Sequence, residues 1–254
     1  MIDMGKKVAE QLVDTLIEAG VRRIYAVTGD SLNEVNEAVR QNEAMKWIHV
    51  RHEETGAYAA GAEAQLTGLP GCCAGSSGPG HVHLINGLYD AHRSGAPVIA
   101  IASTIPTGEF GTEYFQETNT IKLFNDCSFY NEVATTPQQF PRMLQSALQT
   151  ATTRKGVAVI GLPGDLAKKP AAQVESSEQI YPLASSVCPA EEDLIRMAGM
   201  LNHYGRITLF CGIGCKGAHE EIIRMSEILN APVAYTFKGN MEVQYDNPYE
   251  VGMT

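Results

Sequence analysis

Short apolar runs ending in Gly, Ser, Thr or Pro recur through the first two thirds of the chain, and they constrain the fold more than any other feature. They are "RIYAV" (23–27), "WIHV" (47–50), "GCCAGS" (71–76), "PVIAIAS" (97–103) and "VAVIGLP" (157–163), with a weaker run at "FYNEVA" (129–134). Between them, 5–19, 31–41, 53–67, 80–93 and 137–153 carry helical patterns; Val8, Leu12, Leu16 and Ala19 show the spacing in the first. Runs this short and this apolar suit strands buried on both faces. Their alternation with helices predicts an α/β fold: a six-stranded parallel sheet with helices on both faces. Ligands of such sheets bind at the carboxyl ends of the strands. That edge carries "TGDS", "RHEE", "GSSGPG", "STIPTG" and "LPGD".

From about 164 to 188 the chain is polar and punctuated by proline, without lasting periodicity. The reading is a first domain over 1–180, a linker over 181–188 and a second unit over 189–254. Pro189 suits the first turn of a helix reaching about His203, with Glu191, Glu192 and Asp193 near its positive end. A strand "RITLFCG" (206–212), a helix over 217–229 and a strand "PVAYTF" (232–237) follow. One βαβ element is too little to bury both faces of a sheet, so the second unit reads as the start of a Rossmann-like α/β domain and the chain as a fragment.

Hydrophobic residues make up 44% and charged residues 19%, as in ordinary soluble proteins. No run approaches the roughly 20 apolar residues of a membrane span. A formal charge of −10 argues against a nucleic-acid partner, because affinity for phosphate backbones comes from clustered Lys and Arg; Lys168 and Lys169 read as a solvated chain exit. The six cysteines form no CxxC pair and several lie in strand-like runs, so they are expected to be reduced and structural. The N-terminus lacks a signal-like apolar segment, which makes the cytoplasm the expected location.

Glu53 is the sharpest chemical candidate. Acids in a first helical turn are commonly dipole partners, and Glu54 reads that way. Glu53, however, shares a helical face with Ala57, Ala60, Gly61 and Ala64. A stripe so bare packs tightly against something, and burial disfavours the charged form of a carboxyl. A desolvated acid at a ligand-binding edge is a candidate for proton transfer. The loop "GSSGPG" either lines a flat ligand or is a rigid strand-to-helix turn. His81 and His83 are two apart and cannot share a helix face, which argues against a two-His metal site. In "EYFQET" Gln116 both donates and accepts hydrogen bonds. Gly212, Gly214 and Gly217 form G-x-G-x-x-G after a strand, and this spacing admits both a diphosphate site and a packing turn. Lys238 stands where a nicotinamide ribose would need an acid, which argues against NAD.

Taken together, "RHEE…AAGAEAQLTG", "GSSGPG", "NGLYDAHR", "YFQET", "LPGDLAKKP" and "CGIGCKGAH" resemble the thiamine-diphosphate enzymes that decarboxylate 2-keto acids, and among them the flavin-containing, quinone-reducing pyruvate oxidases. The resemblance implies a pyrimidine-binding domain followed by part of a central FAD-binding domain, with a diphosphate-binding domain and its Mg2+ ligands outside the chain. It implies that Glu53 engages N1′ of the aminopyrimidine and that Gln116 and Phe115 line the reactive side of the thiazolium. Thr28, Gly29, Ser77, Gly78, Pro79 and His83 correspond to loops around thiamine diphosphate. Gly212, Gly214, Cys215, Phe237 and Lys238 correspond to FAD-approaching segments, "TFKGN" matching only loosely. The implied reaction turns pyruvate, or a similar 2-keto acid, into acetate and CO2 with electrons passing to quinone. It also implies a second subunit in a homodimer or homotetramer, the Ala/Gly face as the subunit contact, a fragment inactive alone, and peripheral membrane association of the full-length form. An acetolactate-synthase-like carboligase or another 2-keto-acid decarboxylase is the alternative within the family, and a non-catalytic dimerising binding module the alternative outside it.

Overall fold

The computed structural model describes residues 5–172 and 187–253. The chain divides into two compact units, Met1–Ser185 and Ser186–Thr254.

The first unit contains α1 (Val8–Glu18), β1 (Arg23–Ala26), α2 (Asn33–Arg40), β2 (Lys46–His49), α3 (Glu53–Thr67), β3 (Gly71–Gly75), α4 (Pro79–Val82), α5 (Ile85–Arg93), β4 (Val98–Thr104), α6 (Thr120–Leu123), β5 (Tyr130–Val133), α7 (Phe140–Arg154), β6 (Val157–Pro163) and α8 (Gly164–Ala167). The strands form a six-stranded sheet in the order β2-β1-β3-β4-β6-β5, and every pairing is parallel. Every residue of β3, β4 and β6 is buried, which is why those runs are apolar throughout rather than alternating. One face of the sheet packs under Leu12, Leu16, Leu144 and Leu148 of α1 and α7, the other under Leu88 and Ala91 of α5. Each large aliphatic side chain so buried contributes about 1.5–3 kcal/mol.

Local signals set the helix ends. Glu10 accepts a hydrogen bond from the Lys7 backbone N–H at 2.6 Å, closing the start of α1. His52 caps α3 by accepting from the Glu54 N–H at 3.3 Å, and Gly68, at φ +73°, ends that helix. The helix expected over 80–93 is two helices, α4 and α5, broken at His83–Leu84. The segment after 164, read as loose, continues the domain. It forms α8 and then pairs with the N-terminal strand-like residues, Val8 N–H bonding Lys169 O at 3.0 Å and Ala171 N–H bonding Lys6 O at 2.7 Å. Most of the expected linker, 181–186, lies outside the described residues.

The Ala/Gly stripe of α3 is filled from within the domain, which corrects the expectation of a subunit contact. Ala57, Ala60, Gly61 and Ala64 are buried, and α3 packs on α5 and β3. A Cβ on Gly87 of α5 would lie 2.6 Å from Ala57 Cβ, so the two helices touch almost backbone to backbone.

The second unit holds α9 (Glu191–His203), β7 (Leu209–Cys211), α10 (His219–Leu229), β8 (Val233–Tyr235), α11 (Asn240–Val243) and β9 (Glu250–Met253). Its sheet runs β7-β8-β9, all parallel. Pro189 precedes α9 rather than opening it, because Ala190 is the N-cap residue. Strand β9 is an addition to the expected single βαβ element, and Phe237 lies in a short turn after β8 rather than in the strand. Ala218, not Gly217, precedes the first residue of α10.

Candidate active site

The chain leaves β1 for the outer strand β2 and then returns to β3 on the other side of β1, so the loops after β1 and β3 flank the point where strand order reverses. They meet there. A Cβ on Gly29 would fall 2.4 Å from Ser76 Cβ, so only glycine permits this approach. The Ser77 N–H donates to Ser31 Oγ at 2.9 Å. The single hydroxyl hydrogen of Ser103, at the end of β4, is shared between Ser31 O at 2.8 Å and Leu162 O at 3.0 Å. These bonds join the carboxyl ends of β4 and β6 to the loops after β1 and β3. Thr28 and Pro79 are exposed on this edge, while Ser77 and Gly78 are buried.

Glu53 opens α3 on the same edge and is 9% exposed. His83 Nδ1 lies 3.1 Å from Glu53 Oε2; a carboxylate only accepts, so Nδ1 carries the hydrogen and donates it. The His83 ring stacks on His52 with centroids 4.5 Å apart. Glu53 Oε1 faces Gly80, where a Cβ would come within 3.4 Å of it. Glu54 lies at the rim of this arrangement: its carboxylate accepts from Asn86 Nδ2 at 3.0 Å, with its other oxygen 3.8 Å from His52 Nδ1.

Gln116 sits in the long loop after β4, at φ +66°, a region that costs a non-glycine residue about 1–3 kcal/mol. Its Oε1 accepts from Ser77 Oγ at 3.0 Å, and a Cβ on Gly78 would strike Gln116 Cβ at 2.7 Å. Gly78 itself has φ +67°, ψ −121°. Phe115, beside Gln116, is 79% exposed. Thus Thr28, Gly29, Glu53, Ser77, Gly78, Pro79, His83, Phe115 and Gln116 belong to connected loops at one edge of the sheet.

Two participants escaped the sequence reading. His52 is both helix cap and stacking partner of His83. Asp165, in α8, secures the start of the long loop by accepting from Thr107 N at 2.9 Å and Thr107 Oγ1 at 2.8 Å. Burial raises the Asp165 pKa, but the two Thr107 bonds and the Lys169 charge outweigh it and hold the carboxyl below its ordinary 3.8. Because the folded value is the lower one, this anchor is fully present above pH 3.8 and is lost as pH falls through the folded value. Asp165→Asn should therefore flatten the acid limb of a stability-against-pH curve measured by thermal unfolding. An unchanged acid limb would remove Asp165 from this role.

Among the described residues one trio of side chains brings donor atoms within 4.8 Å of one another: His52, Glu53 and His83. Two imidazoles and one carboxylate are not the oxygen set that Mg2+ takes, and His81 points elsewhere, toward β4 and the long loop. Cys72, Cys73, Cys127 and Cys211 are free thiols and buried. Burial pushes the Cys73 thiol up to about 12, which suits an inert structural role. No helix among the described residues is long and apolar enough to cross a membrane.

In the second unit, Gly212 ends β7 and the chain turns tightly, Cys215 N–H bonding Gly212 O at 3.0 Å. The turn holding Phe237 and Lys238 lies beside it, because Thr236 N–H bonds Cys211 O at 2.9 Å. Nothing lies within 4 Å of where a Cβ on Gly214 or Gly217 would be, so this backbone is open to a ligand.

The family model "Thiamine pyrophosphate enzyme, N-terminal TPP binding domain" matches residues 6–123, and the corresponding central-domain model matches residues 194–254. An uncharacterized 42.6 kDa protein of Pseudomonas amyloderamosa is 50% identical over 98% of this chain and 63% of its own length. A putative thiamine pyrophosphate-containing protein of Bacillus subtilis, YdaP, is 37% identical over 98% of this chain and 44% of its own. A pyruvate oxidase of Lactiplantibacillus plantarum is 34% identical over 86% of this chain and 37% of its own. The chain thus spans less than two thirds of the length of these relatives. Two successive domain models of one family, matched in order on the two units the structure separates, lead to one conclusion: the chain belongs to the thiamine pyrophosphate enzyme family.

Proposed function

We propose that this chain supplies the pyrimidine-binding side of a thiamine-diphosphate enzyme that oxidatively decarboxylates pyruvate or a close 2-keto acid. The observation that carries the reading is Glu53: a nearly buried carboxyl at the carboxyl edge of a parallel sheet, facing the glycine loop. When bound, thiamine diphosphate supplies the nucleophilic carbon and the electron sink that this chemistry requires.

The residues present fit that cofactor's aminopyrimidine. The approach of Gly29 to Ser76 and the absence of side chains at Gly78 and Gly80 leave a backbone wall near the acid. Thr28, Gly29, Ser77, Gly78 and Pro79 form this wall. His83 engages Glu53 Oε2, which leaves Oε1 to hold or release a proton toward the pyrimidine N1′. Gln116 and Phe115 face the reacting side, Gln116 positioning the substrate carboxylate or carbonyl by hydrogen bonding and the exposed Phe115 excluding water once the site closes. In the second unit, the turn from Gly212 through Cys215, open at Gly214, and the adjacent Phe237–Lys238 turn suit the diphosphate of FAD. We place no Mg2+ ligand on this chain. Diphosphate and metal are held by the remainder of the protein, on a second subunit of a homodimer or homotetramer. Pyruvate and one water would give acetate and CO2, and the electron pair, with two protons, would pass by way of FAD to a quinone.

The test is turnover by the full-length protein with thiamine diphosphate, Mg2+, FAD and pyruvate. Reduction of an artificial quinone with release of acetate supports the reading. Acetolactate in place of acetate moves it to a carboligase, and no consumption of any 2-keto acid rejects it.

A further inference from the structure

His81 is fully buried and has no part in the chemistry above. Its ring bridges two parts of the domain. Nδ1 lies 2.8 Å from Ser103 O at the end of β4, and Nε2 lies 2.5 Å from Thr118 Oγ1 in the long loop. A carbonyl only accepts, so Nδ1 carries the hydrogen, and Nε2 of the neutral ring accepts from the Thr118 hydroxyl. Burial lowers the His81 pKa from its ordinary 6.5, the Ser103 bond opposing, which keeps the ring neutral and in that tautomer at neutral pH. Phe124 stands edge-on to the ring, with centroids 5.9 Å apart.

The loop needs such a tie. Glu117 shapes it by accepting from Gly111 N at 2.6 Å and Tyr114 N at 3.2 Å, but these bonds lie within the loop. Thr107 attaches its start to Asp165. Gln116 touches the body through Ser77, using the same side-chain oxygen that a substrate would compete for. Gln116 also holds an unfavourable left-handed conformation, which persists only where the surroundings over-determine it. Thr118, two residues further on, is bonded to a buried ring whose other nitrogen is fixed to a central strand.

We propose that His81 is a positioning residue which, through the Thr118 hydroxyl, latches the loop that presents Phe115 and Gln116 to the substrate. The latch stands on this geometry, and its catalytic consequence rests on the proposed function. Thr118→Val removes the hydroxyl at nearly constant volume on a half-buried residue, Thr118→Ser keeps it, and His81→Leu removes the acceptor. Amide hydrogen exchange over 111–118 is followed in this chain, and pyruvate turnover is followed in the full-length protein with its cofactors.

Thr118→Val should speed exchange in the loop by about five- to tenfold, as expected for one lost buried hydrogen bond. It should lower kcat by about the same factor with the half-saturating thiamine diphosphate concentration unchanged, and Thr118→Ser should restore both. The double variant should be no worse than His81→Leu alone, since the two groups form one interaction. Unchanged loop exchange in Thr118→Val, or additive losses in the pair, overturns the latch. Faster exchange with unchanged kcat overturns the positioning role. Failure of the functional reading shows separately, as an unmodified full-length protein that consumes no 2-keto acid.

Discussion

Glu53→Gln in the full-length protein should lower 2-keto-acid turnover by about one hundred to ten thousand fold, the usual contribution of a positioned proton-transfer group. The amide has the shape of the carboxyl and keeps an oxygen for the His83 Nδ1–H, now 3.1 Å from the acid. It cannot exchange a proton with a pyrimidine nitrogen. The fold should survive: the lost negative charge at the first turn of α3 costs about 0.3–1 kcal/mol. Glu54→Gln is the control, because that carboxylate bonds the exposed Asn86 and lies 3.8 Å from His52 Nδ1 without touching Glu53 or His83, and its turnover should stay close to that of the unmodified protein. Steady-state rates and circular dichroism on both variants check this. Near-full turnover by Glu53→Gln would sink the assigned role.

Gly78→Ala should destabilise the first unit by about 3 kcal/mol, combining backbone strain with overpacking. At φ +67°, ψ −121° the backbone occupies a region that residues with a Cβ rarely enter, and the new methyl would sit 2.7 Å from Gln116 Cβ. The loop holding Gln116 must then move, so the substitution couples stability to the site. Gly68→Ala separates the two effects: its φ of +73° is also left-handed, but nothing lies within 4 Å of the added Cβ. Only the conformational penalty remains there, about 1–2 kcal/mol. Urea unfolding of residues 1–254 measures both. Equal midpoints for the two variants would show that contact with Gln116 contributes nothing.

How far the fold was legible follows from burial. The buried strands β3, β4 and β6 are apolar on both faces and therefore stand out as continuous runs. Strand β9 has no such run. Its four residues alternate between half-buried and exposed and include Gly252 at φ +110°, so nothing in "EVGM" separates it from a loop. The tail after β6 looked loose because only Leu166 and Ala167 of α8 enter the core, and the rest of its ordering comes from backbone pairing with Lys6–Val8, which places no demand on side-chain type.

Small residues on α3 announced a close approach without saying to what. The chain's return through β3 and α5 places Gly71 and Gly87 against that stripe, and the space is used inside the domain. His83 is 30 residues from Glu53 and becomes its partner only because α4 follows β3 at the strand-order reversal. Asp165 and His81 likewise act on a loop far from them in sequence.

The sequence by itself determined the parallel sheet, its carboxyl edge and the acid at the start of α3, because hydrophobic periodicity, strand-end glycines and helix position are local properties. Tertiary structure alone decided the partner of that acid, what fills the Ala/Gly stripe and how the Gln116 loop is held, because each depends on a crossover or loop that brings distant residues within hydrogen-bonding or van der Waals distance.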